Sequence, residues 1–352
     1  MDSACAAANG EYVIAGLLTT MKAAFDRVPC NPDDDSALDD ELASRIWLMQ
    51  PRTPDEIDEL SRATYVFLGV RPRLFGIAYR MLGTAAEAED IVQEVWLRWQ
   101  STDRSVVQDE TAFLVTTTVR LAISLAQSAH SRHETYIGPW LPEPVDTSAD
   151  PTLGAERGEA LELAVLILLE KLSPNERAAY VLREAFDYSY RDIADILQLN
   201  EANTRQLVTR ARKHVADERR AQVSSSEHRR FLEAFLAAAQ QGDFTALKEI
   251  LTEDVVSITD GGGIAGAARI PVLGRERVAK FIAGFASHFW TNVTLSWIQV
   301  NGQTSVLIQR GGTIYALLNV DASPQGISQI LWVMNPAKLA LIARSLPASS
   351  QP

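Results

Sequence analysis

Asn203, Gln206, Arg210 and Lys213 recur at intervals of three and four residues, a spacing that sets two amides and two cations along one face of an α-helix. Arg205, Thr209 and Arg212 flank that face, and Thr204 is counted with them. Amides and guanidinium groups near a helix N-terminus pair with base edges in a DNA major groove, and later cations bind phosphates. The residues ahead of this helix predict a holder for it. Ser173, Pro174 and Glu176 give an N-cap, a proline at the first helical position and a capping-box partner. Ser189 and Asp192 repeat the device, and Asn200 caps a third helix after a short turn at Leu199. Ile193, Ala194 and Leu197 then face Leu207, Val208, Ala211 and Val215. This is the pattern of a helix-turn-helix whose second helix enters the major groove. A solvated basic helix in an ordinary bundle would account for the charge, but not for the caps and the short turn as well.

A second stretch, "GPWLPEPV" from 138 to 145, has chemistry of another kind. Pro139, Pro142 and Pro144 fix φ, remove backbone donors and push their predecessors towards extended conformations. Trp140 and Leu141 are costly to leave in water, so this strap is expected to lie against something, with a plain linker as the simpler account. A third group sits on the helix predicted in "TAAEAEDIVQEVWLRWQ". Thr84 and Glu87 stand in capping-box spacing, and Ile91, Val92, Val95, Trp96 and Trp99 form an apolar stripe. Asp90, Gln93, Glu94 and Leu97 occupy the opposite face, where carboxylates frame one apolar residue. His130 and His133, three apart, have no further ligands near them in sequence, so no metal site is expected.

These residues must be positioned by a chain of 352 residues, more than a single core of about 250–300 residues holds. A hydrophobic content of 47% with 22% charged residues is that of an ordinary globular protein, and no run approaches a membrane span. The N-terminus lacks a basic region followed by an apolar block, so no secretory signal is expected. Cys5 and Cys30 form no metal spacing and no disulfide framework, which fits a reducing compartment. The net charge of −12 argues against nucleic acid until its distribution is read. Acids dominate up to residue 60, whereas residues 200 to 230 carry Arg205, Arg210, Arg212, Lys213, Arg219, Arg220, Arg229 and Arg230 against four acids. A basic stripe in an acidic protein is a localised electrostatic footprint. Helical periodicity covers 56 to 130 and 155 to about 221. Beyond "SSSE" at 224 to 227 the pattern changes to two helices and then strand-like runs, "TNVTLSWIQV", "TSVLIQR", "TIYALLNV" and "GISQILWVM". Asn301-Gly302 and Pro324 to Gly326 are turn chemistry between them, so an α+β domain with an antiparallel meander is expected.

"AEDIVQEVWLRW" resembles the core-binding helix in region 2 of extracytoplasmic-function (ECF) sigma factors of bacterial RNA polymerase. "LSPNERAAYVLREAFDYSYRDIADILQ" followed by "ANTRQLVTRARKHV" resembles their region 4. "WLPEP" between the two resembles the subgroup with a C-terminal SnoaL-like extension, as do Asp260, Gly261, Gly262 and Gly263, and Asn335, Pro336, Lys338 and Leu339. The resemblance spans residues 56 to 345. It implies a multidomain chain of two all-α sigma domains plus an α+β cone. The divisions are an acidic N-terminal extension at 1–55, region 2 at 56–135, a linker with the strap at 136–154, region 4 at 155–222 and the SnoaL-like domain at 227–345.

The resemblance also implies partners and roles. Asp90, Gln93, Glu94 and Leu97 would face the β′ clamp helices of core polymerase, with the β subunit also engaged. Residues from Thr111 to Arg132, among them Arg120 and Arg132, would melt and read the −10 element, and the helix-turn-helix the −35 element. Trp140, Leu141, Pro142, Glu143 and Pro144 would join the cone motifs in regulating initiation in cis, in place of a separate anti-sigma factor. Such a protein is cytoplasmic, associated with the nucleoid when bound to polymerase, and needs no membrane, cofactor or catalytic residue. The alternative is a DNA-binding small-molecule sensor, or a residual isomerase or hydratase using Asp254, Asp260 or His288 in the cone pocket. The glycine run is not a phosphate loop, since no Gly-Lys-Ser/Thr follows it. Two departures from the family are visible: "SLAQSAHSRH" is thin in charge after Arg120, and Ile264 and Ala337 stand where Lys and Asp are typical.

Overall fold

The computed structural model describes residues 54–133, 136–147, 162–219, 221, 223–264 and 266–345. The acidic extension before residue 54, the polar run after Thr147 and the side chains of His130, Arg132 and His133 lie outside the described residues. The chain divides into Met1–Glu59 and Leu60–Pro352, and the architecture that follows is that of the second unit.

Helix α1 (Pro54–Leu82) ends at Gly83, which takes φ 67° and donates its amide to the Tyr79 carbonyl at 2.7 Å. This left-handed residue lets α2 (Ala85–Ser101) turn back at once. The apolar stripe of α2 is core: Ile91, Val92, Val95 and Trp99 are buried. The expected capping box at its start does not form, because the Thr84 side chain makes no cap bond. A short 3-10 turn (Arg104–Val106) leads into α3 (Glu110–His133). After the strap come α4 (Leu163–Glu170), α5 (Pro174–Glu184), α6 (Tyr190–Leu197) and α7 (Glu201–Glu218). Ser173 with Glu176 and Ser189 with Asp192 form complete capping boxes, and Asn200 accepts the Asn203 amide. Gln198 at φ 56° ends α6, so the turn to α7 is short. One apolar core runs through all seven helices, from Ala63 to Val215.

The C-terminal domain starts with α8 (Ser225–Gln241), capped by Ser224 and Glu227, and α9 (Phe244–Ile250). Strands β1 (Leu251–Asp260) and β2 (Val272–Leu273), helix α10 (Arg275–Phe289), strands β3 (Val293–Val300), β4 (Gln303–Arg310), β5 (Thr313–Ser323) and β6 (Gly326–Val333), and α11 (Pro336–Ser345) complete it. The sheet order is β2-β1-β6-β5-β4-β3. The meander from β3 to β6 is antiparallel as the turn residues predict, but β1 joins β6 in parallel, making the sheet mixed. Strand β1 is hard to read from sequence for a physical reason. A register shift between Leu251 and Val256 leaves Glu253 and Asp254 side by side and exposed, which breaks the period-two alternation.

Both faces of this sheet are covered. Val306, Ile308, Leu318, Ile330 and Trp332 point to a core with α8 and α10, centred on Phe235. Their neighbours Leu307, Leu317, Leu331 and Val333 point the other way, to a core that takes Leu339 and Ile342 from α11, Leu141 from the strap and Leu163 from α4. A sheet buried on both sides reads as continuous apolar runs, and here part of the second cover comes from outside the domain. Phe235→Ala, at a fully buried site, is expected to cost about 3–5 kcal/mol, to be measured by urea denaturation.

Candidate functional site

Helix α7 presents Asn203, Arg205, Gln206, Thr209, Arg210, Arg212 and Lys213 to solvent. Thr204 is the exception. It is fully buried and donates its hydroxyl to the Asn200 carbonyl at 3.1 Å, so it fastens the turn instead of facing outwards with the others. Three of the cations are already held by carboxylates: Arg205 by Glu201, Arg210 by Glu176 at 3.0 Å, and Arg212 by Glu184 at 2.7 Å. The Ser173 hydroxyl, burial notwithstanding, holds the Glu176 carboxyl below its usual range, with Arg210 adding to the effect. Exposed pairs of this kind contribute at most about 1 kcal/mol each, so a phosphate can displace them.

On α2, Asp90 and Gln93 are exposed, Leu97 is 52% exposed, and Glu94 is half-buried and pairs with Arg98 at 2.7 Å. This face is open. The face of α3 is less so: α3 packs on α5 and α6, and Arg120 Nε lies 3.5 Å from the Ile196 carbonyl oxygen at the end of α6. Two buried cations lock the helical units together. Arg177 donates to the Met81 carbonyl at 2.6 Å and pairs with Glu170 at 2.6 Å, and Arg80 lies 5.1 Å from the Phe186 ring centre.

The strap is bonded on both sides. Towards the C-terminal domain, Leu141 is buried in the outer sheet core and its amide donates to Asp260 Oδ2 at 3.0 Å, while Lys338 Nζ donates to its carbonyl. Lys338 also pairs with Asp260 at 2.7 Å, and both side chains are buried. Tyr136 donates to Asp260 Oδ1 at 2.5 Å and receives the Asn335 amide at 2.7 Å. The Trp140 ring centre lies 4.5 Å from Lys338 Nζ, and its far edge packs on Gly83, where an added Cβ would come within 2.7 Å of it. Gly262, at φ 57°, allows similar closeness: a Cβ there would meet the Asn335 side chain at 2.7 Å. Pro142 and Pro144 are buried. Pro336 is exposed, Leu339 buried in the outer core, and Gly263 faces Ile137.

Towards the helical unit, Glu143 replaces the missing cap of α2. Its Oε2 accepts the amides of Ala85 at 2.7 Å and Ala86 at 3.2 Å, its own amide donates to the Gly83 carbonyl at 2.7 Å, and Tyr79 donates to its carbonyl at 2.6 Å. A carboxylate is a stronger acceptor than the Thr84 hydroxyl and complements the helix dipole. The β3–β4 turn closes the ring. Asn301, fully buried at φ 54°, donates to Tyr79 Oη at 2.7 Å and accepts the Val145 amide at 2.9 Å. Asp146 then bridges to Val300 beside β3.

In the sequence Asn301 shows only as a turn former, and nothing marks Tyr79, Tyr136, Arg80 or Arg177. Asn before Gly in a hairpin accounts fully for itself, so no second role shows. Of the acid–base candidates, Asp254 is exposed on β1, Asp260 is held by four hydrogen bonds at the strap, and His288 lines a separate cavity. They do not meet. Among the described residues no group of three or more His, Cys, Asp or Glu is placed to hold a metal, and no helix is long and apolar enough to cross a membrane.

Residues 66–132 match the family model described as Sigma-70 region 2, and residues 162–215 the one described as Sigma-70, region 4. The chain is 38% identical over 229 residues to the ECF RNA polymerase sigma factor SigJ of Mycobacterium tuberculosis, covering 63% of this chain and 73% of that one. It is 31% identical over 273 residues to the same species' "Probable ECF RNA polymerase sigma factor SigI", covering 76% of this chain and 92% of that one. The crystal structure of SigJ superimposes with a TM-score of 0.64 at 32% identity, covering 79% of this chain and 98% of that one.

The pair at the strap makes two measurable demands. Asp260→Asn leaves the Lys338 ammonium buried without its counter-charge and is expected to cost about 3–5 kcal/mol by denaturation, whereas Asp260→Asn with Lys338→Met, which removes the stranded ammonium and keeps an amide oxygen for the Leu141 amide, should recover part of that loss. Burial raises the Glu143 carboxyl above its usual value despite the two amides it accepts. A raised folded-state value means that its contribution is present at low pH and lost as pH rises through that value. Strap docking should therefore tighten as pH falls from 7 towards the carboxylate range. Amide exchange at Leu141 and Glu143, corrected for intrinsic rates, reads this, and Glu143→Gln should flatten the profile.

Proposed function

The chain belongs to the ECF sigma factors of RNA polymerase, and from that membership we propose that its C-terminal domain controls initiation in cis, with the strap as the clasp. As a sigma factor it binds core polymerase and directs promoter-specific transcription initiation. Core polymerase and promoter DNA are its partners. The finer assignment is ours: Asp90, Gln93, Glu94 and Leu97 meet the β′ clamp helices, region 4 adds a contact to the β subunit, and the solvent-facing residues of α7 read the −35 element. Arg120 serves the −10 element, as does Arg132, whose side chain lies outside the described residues.

The observation that carries this reading is the two-sided bonding of residues 141 to 145. Leu141 is held by Asp260 and Lys338 of one domain, while Glu143, two residues on, caps a helix of the other. The consequence follows from distance. The −35 and −10 elements are named for positions ~25 base pairs apart, roughly 85 Å along B-DNA. With Arg120 Nε only 3.5 Å from Ile196 O, the α3 and α6 surfaces cannot serve both elements at once, so the clasped form is a closed one. The open Asp90–Leu97 face supports a sequence in which polymerase docks first and the clasp then yields. Lateral separation needs a differential binding of about 5.5 kcal/mol to move from almost all closed to almost all open, well within reach of a large interface.

This control in cis takes the place of a separate anti-sigma factor, and the protein acts in the cytoplasm, where its polymerase is. We assign no enzymatic role, because Asp260 is committed to the clasp and the other two candidate bases stand apart from it. Transcription in vitro with core polymerase on selected promoter fragments tests the proposal. Full-length protein, Trp140→Ala and a chain stopped near residue 226 are compared. Trp140→Ala should raise specific transcripts several-fold and quicken amide exchange across the boundary between the domains. If output and exchange both stay at the full-length level, the strap is only a linker.

A further inference from the structure

On the face of the sheet away from the strap, the C-terminal domain has a cavity of about 520 Å³, open to solvent on one side. That volume is ordinary for a small-molecule site. Its walls are chiefly aromatic: Phe281, Phe285 and Phe289 on successive turns of α10, with Tyr315 and Trp332 from the sheet. Successive ring centres stand 4.9 to 5.5 Å apart, leaving flat π-faces and edges towards the space. No Asp or Glu lines it among the described residues; the polar groups that do are Thr259, His288 and Arg310.

Arg310 is fixed before anything binds. Its guanidinium lies 4.3 Å from the Tyr315 ring centre, and one Nη donates to the Phe289 carbonyl at 2.7 Å. Its Nε is buried and makes no hydrogen bond. A buried donor on a permanent cation is costly unless an acceptor, best an anionic one, completes it. An apolar slot with one oriented cation and no carboxylate selects a flat apolar molecule bearing one acidic group.

The same cavity touches the clasp through a short loop. Gly266, Ala267 and Ala268 form part of its wall. Ala267 packs on Gly261 so closely that a Cβ at Gly261 would come within 2.3 Å of its own. From that loop, Gly262 abuts Asn335 and Gly263 abuts Ile137, next to Tyr136 of the strap network. Thr259, in the wall, immediately precedes Asp260.

We propose that this cavity binds a planar, apolar small molecule with a single acidic group, and that its occupancy shifts the glycine loop and so the strength of the clasp. The second half rests on control in cis as described above. The proposal is for binding and not for turnover, since among the described residues no carboxylate lines the cavity.

The test uses the full chain and two probes with one ring skeleton, 1-anilinonaphthalene-8-sulfonate and the uncharged N-phenyl-1-naphthylamine. The sulfonate should bind with one-to-one stoichiometry. Arg310→Met should weaken the sulfonate about tenfold and the neutral probe by less than about twofold, with Arg310→Lys between them. Ala268→Trp, which fills the slot from the loop side, should displace both probes, and unchanged thermal unfolding of each variant excludes misfolding. Equal loss of both probes in Arg310→Met, or no loss of either, overturns the ligand class. Saturating sulfonate should also change amide exchange at Leu141 and transcript yield in the same direction. Arg310-dependent binding that moves neither overturns the link to the clasp. Failure of control in cis itself is read separately, from Trp140→Ala without any probe.

Discussion

The buried pair between Asp260 and Lys338 is the constraint on which the docking of the strap depends. Neither charge belongs in an apolar interior, and each is tolerable only with its partner and with the Leu141 peptide between them. Burial pulls the Lys338 ammonium below its usual value even with Asp260 opposing that shift, so the lysine has little to spare. The pair thus holds the strap conditionally: with Leu141 in place its lone pairs and protons are satisfied, and without it they lose those partners. A purely apolar contact would hold the strap without making its departure so abrupt.

Around that pair the energetics are divided between two kinds of surface. The strap contributes a buried Leu141, worth about 1.5–3 kcal/mol, and a ring of hydrogen bonds that also tie down Tyr79 and Asn301. The two helical units share a continuous core and two buried arginines. The outer sheet face is completed by Leu141 and Leu163, neither of which belongs to the C-terminal domain. Release of the strap as proposed would expose apolar surface on the strap and on the outer sheet face. In the proposed switch, core polymerase docking on the exposed Asp90–Leu97 face would supply the replacement.

Several elements were legible in the sequence because their physics is local. Capping boxes at Ser173 and Ser189, the Asn200 cap, the turn at Asn301-Gly302 and the meander all follow from neighbours within a few residues. The basic face of α7 was legible for the same reason. Thr84 and Glu87 have the spacing of a capping box, yet a glutamate 59 positions after Thr84 takes the place. Thr204 shares a helix with the solvent-facing polar residues of α7, yet it is buried and bonded to the Asn200 carbonyl, which its residue type does not announce. Strand β1 was hidden by a bulge, and its parallel pairing with β6 has no local signature at all.

Composition, periodicity and capping by themselves determined two helical units, a helix-turn-helix with a basic face, an α+β domain and a proline-stiffened strap. These depend on contacts short in sequence, where residue type and spacing are enough. Only the tertiary structure decided that the strap is bonded on both sides, that Glu143 caps a helix it does not follow, and that Asp260 pairs with Lys338 and accepts the Leu141 amide. Only it placed Arg310 over an aromatic slot. Each of those facts turns on groups tens to hundreds of residues apart, and in a buried setting the value of a charge or a donor is set by the partner it finds, which no linear spacing encodes.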